Sequence, residues 1–168
     1  VTGEAGLGLR ATFVFMRALD SAVDHQAGVA PAFARPAPGD PIYHGVPGVA
    51  FTGNFEFLDH LGGSLGPAEW LRWLRLSERD GLDPEVELVA AADCLPPAAL
   101  RLVGGLAPVS SMTWQLNLLA PPATQDGWFL LRSDTAHARA GASSQAMAIW
   151  AADGTPLAEQ MQSVAIFA

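Results

Sequence analysis

The chain has no lysine, a single cysteine, and no apolar run of the about 18 residues that a membrane-crossing helix requires. Each shortage narrows the reading. All nine basic residues are arginine, set against 17 acids over 168 residues for a net charge of −8. Nucleic-acid binding rests on clustered cations, so no nucleic-acid partner is expected. The same acidity gives no long-range pull on an anionic cofactor and leaves phosphate recognition to a few local arginines. The lone Cys94 rules out an internal disulfide framework and suits a reducing, cytoplasmic setting. The most apolar long region, Val86 to Leu102, is cut by Asp93 and by Pro96 and Pro97, so no membrane span is expected. Nor does a basic-then-apolar leader open the sequence, so no secretion signal is expected. His25, His44, His60 and His137 show no HxH or HxxxH spacing, which argues against a zinc site.

What is present is half hydrophobic and rich in Ala, Gly and Pro. Arginine-only basic composition with that bias suggests a GC-rich bacterial genome. The length suits one ordinary domain with a sizeable core. Leu9 to Arg17 reads as a strand, and Pro31 to Pro47 as a linker rich in proline and glycine. Val49 to Leu58 reads as a strand, Gly62 to Pro67 as a turn, and Glu69 to Glu78 as a further strand. A helix then begins at Pro84, with Asp83 as N-cap and Glu85 and Glu87 near its positive end. It is expected to run to Leu95, where Pro96 and Pro97 break it, with a short turn to Leu102.

Four strand candidates follow: Val109 to Leu119, Gly127 to Arg139, Ser143 to Trp150 and Leu157 to Phe167. In the first, Ser110, Met112, Trp114, Leu116 and Leu118 alternate with Ser111, Thr113, Gln115 and Asn117, which places the second set on one polar face. Two strands, an alanine-rich helix and four strands in a row imply an α+β layer fold, an antiparallel sheet with the helix on one face.

Asp93 stands out because the helical period aligns it with Val86, Val89 and Ala90. A carboxylate on an apolar face needs a partner or a task. It would serve equally as an N-cap for the turn after Pro96. Gly62 to Gly66 matches G-x-S-x-G, but no βαβ pattern surrounds it, and it is read as a hairpin turn. Trp70, Trp73, Trp114, Trp128 and Trp150 are read as core or subunit-contact residues.

Several segments together resemble the type II (TesB-like) acyl-CoA thioesterases, double hot-dog proteins with two repeats in one chain. Residues Ala11 to Gln26 before a proline-rich stretch resemble the end of the first repeat and the inter-repeat linker. LVAAADCLPPAAL, VSSMTWQLNLLAPP followed by DGWFLL, and DGTPLAEQMQSVAIF resemble the second repeat. The similarity extends over residues 9 to 168. It implies a hot-dog fold, an antiparallel sheet wrapped around a central helix, as part of a double hot-dog. The corresponding division is a first-repeat tail at 1–29, a linker at 30–48 and a complete hot-dog domain at 49–168.

The resemblance also implies a catalytic set: Asp93 as the helical acid, Ser111 at the hydroxyl position and Gln162 in the closing Gly-to-Gln motif, eight residues after Gly154. Serine stands where threonine is common, and Thr113 is a possible alternative hydroxyl. The implied activity is hydrolysis of acyl-CoA to free acid and CoA, with the CoA thioester as substrate and no cofactor or metal. Such an enzyme belongs to lipid metabolism. An acid that activates water, with a hydroxyl and an amide to orient it, is the right chemistry. Arg101, Arg132 and Arg139 are candidates for phosphate contacts. A lone hot-dog sheet leaves an edge and an apolar face uncovered, so a homo-oligomer or pairing with a first repeat is expected. Two other functions stay open: an inactive acyl-binding or assembly module, and a hot-dog dehydratase, which usually relies on a histidine absent from this helix.

Overall fold

The computed structural model describes residues 2–4, 6–17, 19–60, 65–105, 107–124 and 126–168. Within them the chain order is β1 (Thr2–Gly3), β2 (Gly6–Leu7), β3 (Tyr43–His44), a 3-10 turn (Ala50–Asn54), β4 (Phe55–Asp59) and β5 (Glu69–Leu76), then α1 (Pro84–Ala92), α2 (Leu100–Val103), β6 (Val109–Leu118), β7 (Phe129–Arg139), β8 (Ala142–Ala151) and β9 (Pro156–Ile166). β1 and β2 pair only with each other. The other strands form one seven-stranded antiparallel sheet in the order β3-β4-β5-β7-β8-β9-β6. The chain leaves β5, lays both helices on one face, and returns at the far edge as β6.

The start of α1 follows from its residues. One oxygen of Asp83 accepts the N–H groups of Glu85 and Val86 at 2.9 and 3.3 Å, and Pro84 has no N–H to leave unpaired. The helix stops at Ala92 rather than at Leu95. Pro96 and Pro97 cannot donate, and Pro96 disfavours helical geometry at the residue before it. The buried side of α1 is Leu88, Ala91 and Ala92, continued by Cys94 and Leu95, against Phe57, Leu74, Phe129, Leu131, Met147 and Ile149 of the sheet. Val86 and Val89, expected to share the core face, point outward at 54% and 37% exposure. Packing at the centre of the sheet is tight, so Ile149→Val should cost about 1 kcal/mol of unfolding free energy in a urea titration.

The opposite face of the sheet carries a second cluster: Leu58, Leu71, Trp73, Trp128, Leu130 and Trp150, with Ala30 and Phe33 packed over it. Trp73, Trp128 and Trp150 are therefore core residues. The proline-rich stretch does more than connect, because it covers this face and supplies β3.

Two strand expectations are corrected. Residues 8–17 form no strand, and Phe13, Val14 and Phe15 are 76%, 89% and 90% exposed. β propensity cannot act without a neighbouring ladder to satisfy the backbone groups. Strand structure also begins at Phe55, not Val49. There the Thr52 hydroxyl donates to the Val49 carbonyl at 2.6 Å and accepts the Val46 N–H at 2.7 Å, which stabilises a turn in place of a ladder. The G-x-S-x-G stretch falls largely outside the described residues, since Gly62, Gly63 and Ser64 lie there.

Candidate active site

β9 brings Ala158, Gln160, Gln162 and Val164 to the helix side of the sheet, at alternate positions. The turn before it closes at Gly154, whose φ of +89° favours glycine, so the spacing from Gly154 to Gln162 is fixed by the hairpin. β6 runs antiparallel beside β9 and places Ser111 opposite Val164, Trp114 opposite Gln162 and Leu116 opposite Gln160. Met112 has no opposite residue: it is a β-bulge.

That one extra residue reverses the parity of the strand. Ser111 shares the helix-side face with Trp114 and Leu116. Thr113, opposite Ser163, faces the other way. The uniform alternation expected for this strand is thus wrong at its start, and Thr113 is not an alternative hydroxyl for the same site.

Ser111 and Gln162 meet directly, the Gln162 Nε2 donating to Ser111 Oγ at 2.8 Å. Both line a cavity of about 770 Å³ that extends beneath the segment following α1. Asp93 lines the same cavity and is the C-cap residue of α1. It does not cap α2, whose N-cap is Ala99. Its carboxylate has no hydrogen-bond partner among the described residues. Although the side chain reaches solvent at the cavity mouth, partial desolvation raises its pKa above the ordinary carboxylate value. The negative end of the helix dipole acts in the same direction. All three expected site residues therefore line one cavity, two of them in contact and the acid free to act on a third body.

Next to Asp93, Cys94 is 3% exposed, and burial pushes its thiol up to about 12, so it is no thiolate nucleophile. Of the arginines considered for phosphate, only Arg101 lines the cavity. Its Nη1 donates to the Glu69 carbonyl at 2.5 Å and its guanidinium lies 5.1 Å from the centroid of Trp70. Arg132 is paired with Glu69 and Asp134 instead, and Arg139 ends β7 outside the cavity lining.

Two features of the site had no signal in the sequence. Gln145, 1% exposed on β8, donates to Gln162. A deep wall carries Arg72, Asp59 and Tyr43: Arg72 bonds Asp59 at 2.5 and 3.1 Å, and the Tyr43 hydroxyl donates to Asp59 at 2.8 Å. Arginine and tryptophan in the stretch EWLRWLRL are compatible with an amphipathic strand, and nothing in the spacing marks Arg72 as buried.

A seven-stranded antiparallel sheet with α1 packed on one face and a cavity at that helix's C-terminal end fits a hot-dog fold. The model of the family described as acyl-CoA thioesterase C-terminal domain matches residues 22–166, and the chain belongs to that family. Solved structures agree on the fold. A hot-dog protein of unknown function from Alicyclobacillus acidocaldarius is 21% identical with a TM-score of 0.59, over 95% of this chain and 58% of its own. A tesB protein of Mycobacterium avium subspecies paratuberculosis is 16% identical with a TM-score of 0.64, over 88% and 57%. Acyl-CoA thioesterase II TesB2 of Mycobacterium marinum is 18% identical with a TM-score of 0.55, over 85% and 59%. The chain thus spans less than three fifths of these neighbours. No curated protein matches it in sequence. Among the described residues, no helix is long and apolar enough to cross a membrane.

Proposed function

We propose that the cavity hydrolyses acyl-CoA thioesters, with Asp93 as general base and Ser111 and Gln162 orienting the attacking water. The observation that carries this reading is the convergence of these three side chains on one cavity, with Gln162 already bonded to Ser111. Because Ser111 Oγ accepts from Gln162, it keeps its own proton and one lone pair for water. Asp93 takes a proton as the water oxygen bonds to the thioester carbon. The C–S bond then breaks, and the proton held by Asp93 passes to the departing thiolate, giving free acid and CoA. The step needs no metal and no acyl-enzyme.

The reading includes a second hot-dog unit, from another copy or from a first repeat to which residues 1–29 would be the tail. The edge strand β6 supports this, with Met112, Trp114 and Leu118 exposed along its length at 56%, 37% and 49%. Acyl-CoA would lie between the units, and Arg101 is the cavity arginine available to its phosphates. The cytoplasm and lipid metabolism are the setting this activity fits. Thiol release from acyl-CoAs of graded chain length tests the proposal. Turnover is expected for at least one chain length, whereas tight binding without turnover would favour an acyl-binding module.

A further inference from the structure

Gln145 is completely enclosed by hydrogen bonds. Its Oε1 accepts the Ala98 N–H at 3.0 Å and the Ser133 hydroxyl at 3.3 Å. Its Nε2 donates to Gln162 Oε1 at 2.6 Å and to the Met147 sulfur at 3.5 Å. The backbone N–H of Ala98 can only donate, so the oxygen of Gln145 must face it. The Gln145 nitrogen must then face Gln162, whose oxygen must face back. The Gln162 nitrogen is left for Ser111. One backbone amide on the segment after Asp93 thus sets the polarity of two side-chain amides in series.

We propose that Gln145 is a positioning residue for the hydrolysis, fixing the Gln162 amide with its N–H side toward Ser111 and the water. This rests on the hydrolase reading above. Without the relay, Gln162 is free to turn over. An acceptor facing Ser111 would capture the hydroxyl proton that the water otherwise uses.

Gln145→Glu distinguishes positioning from mere packing. It is nearly isosteric, and the partners of Gln145 are all uncharged, so burial should raise the introduced carboxyl well above its ordinary value. When protonated, it accepts from Ala98 and donates to Gln162, as glutamine does. When ionised, it presents only acceptors, and Gln162 turns over. The variant should follow the wild-type kcat profile at its acid end and fall below it as pH rises, by about 10²-fold at the alkaline end. Gln145→Met removes the relay without adding a titrating group. It should lower kcat at every pH with KM unchanged.

Each failure has its own signature. No wild-type turnover, or turnover unaffected by Asp93→Ala, would remove the hydrolase reading and this proposal with it. Loss of activity in Asp93→Ala, combined with a Gln145→Glu profile parallel to wild type, would overturn the role of Gln145 alone. Should Gln145→Glu fail to fold by circular dichroism, an undiminished kcat in Gln145→Met would overturn it equally.

Discussion

Asp93→Asn should lower kcat for acyl-CoA hydrolysis by about 10³-fold while leaving the fold intact and raising the melting temperature at neutral pH. The two effects share one cause. Folding raises the pKa of Asp93 through desolvation. Between its unfolded and folded pKa values the folded state binds more protons, so stability falls as pH rises through that window. Above the window the whole penalty remains, and asparagine removes it. Below the ordinary carboxylate range the wild type is itself protonated, and the two melting temperatures should converge. On the proposed mechanism catalysis runs the other way, because Asp93 serves as a base only when ionised. Wild-type kcat should therefore decline as pH falls through a value above that of an ordinary aspartate. Calorimetry and thiol release over the same pH series test both halves. A variant that loses activity and also melts lower at neutral pH would mark Asp93 as structural.

The sequence made the main elements legible because their signals are local. A cap followed by proline fixed the start of α1, and turn residues separated β6, β7, β8 and β9. Ser111 and Gln162 are marked only by the family resemblance, whereas Asp93 is also marked by its helical alignment with Val86, Val89 and Ala90. What escaped was non-local. Whether Leu9 to Arg17 forms a strand depends on a neighbour outside that stretch, and the bulge at Met112 is a property of the β6–β9 pair. A one-residue bulge decides which hydroxyl enters the site, so periodicity alone put Ser111 on the wrong face. Gln145 escaped for a related reason: its importance comes from the Ala98 N–H, 47 residues away in sequence.

Arg72→Met should destabilise the fold by about 3 kcal/mol or more, the range for removing one member of a buried ion pair. The Arg72 side chain is 5% exposed and that of Asp59 18%. The guanidinium also lies 4.9 Å from the centroid of Phe57 and 5.2 Å from that of Trp70, so its charge is held between aromatic faces and one carboxylate. Methionine fills much of the same volume but leaves the Asp59 charge with only the Tyr43 hydroxyl. The pair itself need not be strongly stabilising, since desolvation of two ions offsets most of their attraction. The double variant Asp59→Asn/Arg72→Met, with neither charge, should therefore recover most of the loss in a urea titration. Equal destabilisation of the single and double variants would place the effect in lost packing against Phe57 and Trp70. Recovery in the double would show that Arg72 holds the cavity wall chiefly by neutralising Asp59, which makes this wall polar by necessity of pairing rather than by contact with water.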